Sequence, residues 1–144
     1  MDRDDSFPQV FRAGLDVGST TAKLVVLDRA DRLRFERYRR HGSDIVGTVL
    51  KLFDEAEKAL GGACVRLAVT GSAGMGVAEA AGLPFVQEVN AAIDVVRRFF
   101  PAVSTLIDIG GEDSKMVFFS PGRPPDIRMN GRCAGGTGAF IDQM

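Results

Sequence analysis

The frame Asp-x-Gly occurs twice in this chain, each time between two apolar runs. The first copy is Asp16-Val17-Gly18 and the second is Asp108-Ile109-Gly110. Both continue with a small residue, two polar positions, another small residue, a lysine and apolar β-formers. Apolar residues on either side of a short polar stretch that contains glycine are typical of a strand, a turn and a second strand. The sequence therefore predicts two related β-hairpins, with arms at 11–17 and 22–28 and at 104–109 and 114–119.

Each predicted turn is suited to binding phosphate. Backbone N–H groups that converge in a glycine-rich turn form a nest for anions, and hydroxyl groups add further donors. The residues concerned are Gly18, Ser19, Thr20 and Thr21 in the first turn and Gly110, Gly111 and Ser114 in the second. Two similar turns suggest two clamps on one polyphosphate. The alternative is a pair of ordinary hairpins that bind no ligand.

Asp16 and Asp108 end the incoming strands and are the candidate catalytic residues. A carboxylate at this place can hold a hydrated Mg²⁺ that faces the phosphates, or can position the attacking water. The alternative role is that of an Asx-type turn stabiliser, and one side chain can serve in both. Lys23 and Lys115 begin the outgoing strands, where each points either to a phosphate or to solvent.

Composition argues against several classes of protein. The net charge of −1 gives no pull toward nucleic acid or an anionic membrane. No apolar run reaches the ~20 residues of a membrane-spanning helix, and the start, Met1-Asp2-Arg3, lacks the features of a signal peptide. We therefore expect a cytoplasmic protein without nucleic-acid or membrane partners. Cys64 and Cys133 are too few for a disulfide framework, and a single histidine, His41, argues against a His-based metal site.

The remaining pattern alternates strands and helices. Residues 1–10 are polar and predict a disordered leader, followed by one subdomain over 11–144. We predict an arginine-rich edge strand over 32–40, for which a nucleic-acid patch is the alternative, and then a helix from an N-cap at Ser43 to Leu60. A buried strand over 64–70, a loop over 71–76, a short helix over 77–81 and a brief strand over 85–87 follow. The last predicted elements are a helix capped by Asn90 and ended by Pro101, a strand over 126–130 and a helix that begins at Ala139. This order predicts an α/β fold in which a twisted mixed sheet has helices on both faces.

A third glycine-rich segment spans 131–138. In it Gly135, Gly136, Thr137 and Gly138 precede the last predicted helix, whose N-terminus would favour the negative charge of a nucleotide. A plain glycine-rich turn is the alternative. Neither Asp-x-Gly turn ends in Gly-Lys-Ser/Thr or is followed at once by a helix, which excludes the P-loop and Rossmann motifs.

Together these segments resemble a known group of ATPases. The two hairpins are similar to the phosphate-binding hairpins of the actin-like ATPase superfamily. More narrowly, 15–23, 107–115 and 129–140 resemble the activators of 2-hydroxyacyl-CoA dehydratases and the ATPase subunits of benzoyl-CoA reductase. The third segment, in which a cysteine is followed by Gly-Thr-Gly and phenylalanine, is the most specific of the three. The resemblance runs from about residue 13 to the last residue.

The resemblance implies a ribonuclease-H-like fold, ATP and Mg²⁺ as cofactors, and a homodimer that holds one [4Fe-4S] cluster between its subunits. It also implies that ATP drives a low-potential electron, received from a donor such as ferredoxin or flavodoxin, to a dehydratase or reductase component. Cys133 matches one of the two cysteines that each subunit contributes to the cluster. A lone thiol in a loop is the alternative.

Two features depart from that family. The second cluster cysteine would lie beyond Met144, and Cys64 does not match it. The stretch 87–92 lacks the Cys-His pair of the short activators and is more similar to the segment found in longer, fused proteins. We therefore expect an N-terminal half-domain without its second subdomain, which binds Mg-ATP weakly, hydrolyses it negligibly and carries no iron. Thr70-Gly71-Ser72 resembles a family stretch between the two phosphate loops and is either a ligand contact or a plain turn.

Two other functions stay open. A small-molecule kinase of the same superfamily would need an acidic residue that binds its substrate, and nothing in the sequence identifies one. A non-catalytic regulatory or assembly module would keep the fold without turnover. The fold alone does not decide among the three.

Overall fold

A computed structural model describes residues 10–110 and 113–130. Within it the chain divides into two compact units, with the boundary between Val86 and Gln87. Each unit has its own sheet. The leader at 1–9 and the segment 131–144 lie outside the described residues, so the predicted disordered leader, the last helix and the single subdomain over 11–144 stay predictions.

The first unit is built on a mixed four-stranded sheet. Its strands are β1 (Phe11–Val17), β2 (Thr21–Leu27), β3 (Leu33–Arg40) and β4 (Val65–Thr70), in the order β3-β2-β1-β4. The pairs β1–β2 and β2–β3 are antiparallel, whereas β4 runs parallel to β1. The predicted first hairpin is confirmed, and so is the arginine-rich strand at an edge of this sheet.

Buried and more exposed side chains alternate along β1, and this alternation shows which face of the sheet holds the core. Phe11, Ala13, Leu15 and Val17 are buried, so the intervening Asp16 lies on the other face. Helix α1 (Ile45–Leu60) packs on β2 and β3, and α2 (Gly74–Ala81) packs on β4 and β1. Both helices add residues to one buried cluster with the sheet; its largest fully enclosed members are Leu15, Val17, Leu24, Val26, Leu52 and Val69.

The start of α1 differs from the prediction by one residue. Asp44, not Ser43, is the N-cap, since its carboxylate accepts a hydrogen bond of 2.9 Å from the backbone N–H of Gly47. Ser43 has a φ of +72° and belongs to the tight connection before the helix. Either side chain is a good cap by type, and the backbone path selects between them. α1 ends at Leu60 as predicted, and Gly61 follows it in the left-handed conformation.

The predictions for the segment after α1 are confirmed only in part. The strand β4 is less buried than expected, because it is an edge strand of this sheet and only Val69 is fully enclosed. Helix α2 begins at Gly74, inside the predicted loop. The expected strand at 85–87 is reduced to a single parallel bridge between Val69 and Phe85.

A buried carboxylate closes the connection between β2 and β3. Asp28 is 1% exposed and accepts hydrogen bonds from the backbone N–H groups of Ala30 and Arg32 and from the Arg32 guanidinium. Burial alone would raise the pKa of Asp28, but the hydrogen bonds from Arg32 and Ala30 outweigh it and hold the pKa below its ordinary value. These hydrogen bonds fix the turn between β2 and β3 from within.

The second unit begins with α3 (Glu88–Phe99) and continues as an antiparallel sheet. Its strands are β5 (Thr105–Ile109), β6 (Ser114–Phe118) and β7 (Asp126–Asn130), in the order β5-β6-β7. The second hairpin and the strand at 126–130 are confirmed. The predicted cap of α3 is wrong, since the helix begins three residues earlier than expected, after Gln87, and Asn90 lies inside its first turn.

Candidate functional site

The first Asp-x-Gly turn is a tight connection between β1 and β2. The backbone N–H of Gly18 donates to the carbonyl of Thr21 at 2.9 Å, which leaves Ser19 and Thr20 at the tip. Among the described residues, no hydrogen bond uses the backbone N–H of Ser19 or of Thr20. A Cβ added to Gly18 would meet only Thr21, at an ordinary distance of 3.6 Å. The packing of this turn therefore does not itself require glycine at this position.

Asp16 lies beside this turn and forms an ion pair with Lys23. The two residues are direct partners across the hairpin, and Lys23 Nζ is 2.8 Å from Asp16 Oδ2. The side chains remain 32% and 44% exposed, so a ligand can reach both. Lys23 Nζ also lies 5.7 Å from the centroid of the Tyr38 ring. The lysine thus sits next to the carboxylate, where it can also approach a phosphate at the tip.

The loop after β4 encloses Asp16 from the other side. Thr70 is the register partner of Asp16 in the parallel pair β1–β4, and Gly71 follows it with a φ of +97°. A Cβ on Gly71 would lie 2.3 Å from the Val17 carbonyl oxygen and 2.5 Å from Asp16 Oδ1. Only glycine fits here, both for its backbone conformation and for the close approach.

Thr70 supplies a polar group next to this carboxylate. Its hydroxyl oxygen is buried and has no hydrogen-bond partner among the described residues. Buried polar groups normally have a partner, so a hydroxyl of this kind is suited to a bound water or ligand. Of the stretch suggested by sequence, Thr70 and Gly71 lie next to Asp16, whereas Ser72 is exposed.

His41 was missed as a site residue by the sequence interpretation. It lies between β3 and α1, and its side chain is close to the first turn: Nε2 is 3.1 Å from the Gly18 carbonyl oxygen. The His41 backbone N–H donates to the Thr20 carbonyl at 3.1 Å. The signal was the position of this residue, because an antiparallel hairpin brings the end of β3 beside the turn that begins β2.

The second Asp-x-Gly turn closes in the same way. The backbone N–H of Gly110 donates to the Asp113 carbonyl at 2.8 Å, and Ile109 pairs with the half-buried Ser114. In the described part of the chain, no ion pair is formed by Asp108. Gly111 lies outside the described residues.

Lys115 points neither to solvent nor to a free phosphate position. It is the register partner of Asp108, yet Nζ lies 2.7 Å from Asp113 Oδ2 and also pairs with Glu88 at the start of α3. The side chain is 5% exposed. Burial alone would lower the pKa of Lys115, but hydrogen bonds and attraction from Asp113 and Glu88 outweigh it and raise the pKa above its ordinary value.

The remaining predicted ligands fall outside the described residues. They are Cys133, Gly135, Gly136, Thr137 and Gly138. Cys64 is an exposed free thiol just before β4. Over 10–110 and 113–130, no three His, Cys, Asp or Glu side chains are grouped to hold a metal ion. None of the helices found in those ranges has the length and apolar character needed to cross a bilayer.

Comparison with known proteins gives a consistent result. The sequence profile described as the BadF/BadG/BcrA/BcrD ATPase family matches residues 13–144. The chain is 29% identical over 137 residues to the (R)-2-hydroxyglutaryl-CoA dehydratase activating ATPase of Acidaminococcus fermentans, covering 94% of this chain and 52% of that protein. It is 30% identical over 139 residues to the 2-hydroxyisocaproyl-CoA dehydratase activator of Clostridioides difficile, covering 94% and 51%. It thus spans about half the length of these relatives.

The structure is also similar to that of a protein from the same group of activators. The solved structure of the activator of the 2-hydroxyisocaproyl-CoA dehydratase from Clostridium difficile, with bound ADPNP, superposes with a TM-score of 0.79 at 30% identity, over 93% of this chain and 50% of that one. The expected mixed α/β fold of the actin-like ATPase superfamily, with a twisted mixed sheet, is thereby confirmed.

Proposed function

Because the chain belongs to the BadF/BadG/BcrA/BcrD ATPase family, we propose that it is the ATP-binding half of an activator that serves a CoA-thioester dehydratase or reductase. The relatives are named as activators of such dehydratases, and one was solved with an ATP analogue bound. In this proposal the partner is the dehydratase or reductase component, and the protein works in the cytoplasm.

One observation supports the nucleotide site more than any other. At the tip of the first turn, two backbone N–H groups are unused within the described residues, next to an accessible Asp16–Lys23 pair. Successive N–H groups of this kind bind phosphate oxygens, and a neighbouring ammonium adds positive charge. In this proposal the turn Gly18, Ser19, Thr20 and Thr21, with these N–H groups and its hydroxyls, is the cradle that binds a phosphate group.

Asp16 and Thr70 have the chemistry to act on water at this cradle. Phosphoryl transfer to water depends mainly on placing the nucleophile and on offsetting charge, and less on covalent help from the protein. Mg²⁺, when bound with ATP, offsets the phosphate charge, and Asp16 is the residue that we assign to its water shell. We assign the Thr70 hydroxyl, which has no partner among the described residues, to the same water.

In the second turn we assign the phosphate contact to Gly110, Gly111 and Ser114. We assign Asp108 the role that Asp16 has in the first turn, contact with the water shell of Mg²⁺. Lys115 is a brace in this proposal, because its ammonium is already paired with Asp113 and Glu88. The segment Gly135–Gly138 is assigned to the nucleotide by its resemblance to the family alone.

The electron-transfer step is a separate part of the proposal. It rests on the resemblance of 129–140 to the activators, in which Cys133 would be a ligand of a [4Fe-4S] cluster in a homodimer that receives electrons from a ferredoxin or flavodoxin. A four-iron cluster needs four ligands, and two copies of Cys133 supply two. The described residues add only the exposed Cys64, which does not match the second cluster cysteine of the family, so we assign the remaining two ligands to a later cysteine in each subunit.

Titration calorimetry with Mg-ATP tests the nucleotide site. We expect weak binding by the chain itself, and a dissociation constant raised about tenfold or more by Asp16→Ala, because a charge-assisted contact contributes roughly 1.5–3 kcal/mol. Asp54→Ala, an exposed substitution on α1, is the matched control and should leave affinity unchanged. Tight binding that survives Asp16→Ala would contradict the assignment.

Iron analysis tests the second part. The 144-residue chain, reconstituted anaerobically, is expected to bind no stoichiometric iron. A cluster that forms and is then lost in Cys64→Ser would show that Cys64, rather than Cys133 with a later cysteine, is the ligand.

A further inference from the structure

We propose that His41 is a positioning residue that presents the first turn to phosphate. The inference rests on the proposed function, because it assigns His41 a role in the same nucleotide site. Two of its groups bind two carbonyls of the turn: Nε2 contacts Gly18 and the backbone N–H contacts Thr20. The residues at the tip are thus fixed from a segment that is distant in sequence.

Peptide geometry explains how holding a carbonyl directs an N–H group. In a planar trans peptide the C=O of one residue and the N–H of the next point in opposite directions. When His41 holds the Gly18 carbonyl, the N–H of Ser19 is turned away from His41, toward the open side of the turn. The bond to the Thr20 carbonyl orients the N–H of Thr21 in the same manner. The imidazole and the backbone N–H of His41 therefore set the directions of donors that His41 does not touch.

The ring itself is fixed in one tautomer. Nδ1 accepts a hydrogen bond of 3.2 Å from the backbone N–H of Ser43, so the neutral ring carries its proton on Nε2 and donates it to the Gly18 carbonyl. The side chain is buried, with 8% exposure. An imidazole with both nitrogens engaged and little room cannot turn away from the loop.

The support behind His41 is also rigid. Its carbonyl accepts from the backbone N–H of Asp44 at 2.8 Å, and Asp44 is the N-cap of α1. That helix is anchored by buried residues such as Val49 and Leu52. A histidine with only a packing role would need hydrogen-bond partners for its ring, but those partners could lie anywhere. His41 instead binds the two carbonyls beside a tip whose N–H groups are unused among the described residues.

Three variants separate positioning from stability. In His41→Gln the side-chain amide can reach the Gly18 carbonyl in place of Nε2. In His41→Asn the shorter side chain can only accept from Ser43. Val49→Ala removes buried methyl groups from α1 without touching the turn, and controls for a general loss of stability.

We expect the Mg-ATP dissociation constant to rise about tenfold in His41→Asn, the equivalent of one lost hydrogen bond of about 1.4 kcal/mol. It should stay within about threefold of the native value in His41→Gln and in Val49→Ala, since each keeps the bond to Gly18. Amide hydrogen exchange of Gly18, whose N–H is bonded to the Thr21 carbonyl, should accelerate in His41→Asn alone. Equal affinity in His41→Asn and the native chain, or an equal loss in His41→Gln, overturns the proposal.

The same measurements distinguish this inference from the function on which it rests. If the native chain and Asp16→Ala both fail to bind Mg-ATP, the proposed function is wrong. If Asp16→Ala weakens binding and His41→Asn does not, only the role of His41 is wrong. Unchanged exchange of the Gly18 amide in His41→Asn counts against positioning in either case.

Discussion

In the hairpin β1–β2, Asp16 lies directly across from Lys23, and in β5–β6, Asp108 lies directly across from Lys115. The register is the same, but the lysines have different partners. Lys23 pairs with the aspartate opposite and stays 44% exposed. Lys115 turns to Asp113 and Glu88 and is 5% exposed. One repeated frame thus yields an accessible charge pair in one hairpin and a buried brace in the other.

The cause is a single position in the turn and one neighbouring helix. Five residues after its aspartate, the first frame has Thr21 and the second has Asp113. The acidic residue, together with Glu88 in the first turn of α3, outcompetes Asp108 for the ammonium. A motif fixes the positions of the backbone and of Cβ atoms, whereas the surrounding charges decide where a long side chain goes.

The largest expected effect concerns Gly71, in the loop after β4 that packs against the first hairpin. Gly71→Ala forces a Cβ against the Val17 carbonyl at a φ of +97°. We expect a loss of about 4 kcal/mol in the free energy of unfolding, from left-handed strain and overpacking together. Urea denaturation followed by circular dichroism measures it. Gly14→Ala in β1, where a Cβ meets nothing within 4 Å, should cost far less, and equal losses would contradict the enclosure of Asp16.

A smaller loss is expected from Lys115→Met in the second hairpin. Removing the ammonium leaves Glu88 and Asp113 without their shared cation, which costs about 3 kcal/mol, the low end for a buried pair, because both carboxylates are a third exposed. The same denaturation experiment measures it. The double variant Lys115→Met with Glu88→Gln should recover part of the loss, and no recovery would show that the ion pair is not its source.

The raised pKa of Lys115 predicts that the native chain loses stability at alkaline pH. The stabilisation is fully present below the pKa of an unfolded lysine, about 10.4, and is lost as pH rises through the higher pKa of the folded state. The free energy of unfolding, measured between roughly pH 9 and roughly pH 11.5, a range around that pKa, should fall less steeply in Lys115→Met than in the native chain.

The smallest expected effect is that of Lys23→Met on stability. An exposed ion pair contributes about 0–1 kcal/mol, so the free energy of unfolding should change by no more than that. A loss as large as that of Lys115→Met would remove the distinction between an accessible pair and a buried brace.

Patterns that depend on neighbouring residues could be read from the sequence. Both hairpins, the edge strand and the cores of α1 and α3 follow from local periodicity and turn residues. Features that depend on tertiary contacts could not be read in this way. The choice of Asp44 over Ser43 depends on the backbone path, and the direction of Lys115 depends on Glu88, which lies on another element.

The site shows the same division. Asp16, Gly18 and Lys23 were found because they belong to one motif. Gly71 is placed against Asp16 by the parallel pairing of β1 with β4, and His41 reaches Gly18 through the register of β3. No local pattern contains those distances, although the position of a single histidine at the end of an edge strand was visible.

The parallel pairing of β1 with β4 also has a consequence for the order of folding. The contact of β1 with β2 is local and closes a short loop, whereas β4 joins β1 only after the intervening β3 and α1 have been crossed. Non-local contacts of this kind form late, because the entropy of closing the loop opposes them. Asp16 therefore meets Lys23 early and Gly71 late. Pulsed hydrogen exchange during refolding should protect β1–β2 before β4, and until then the chain has the first turn but no enclosed carboxylate beside it.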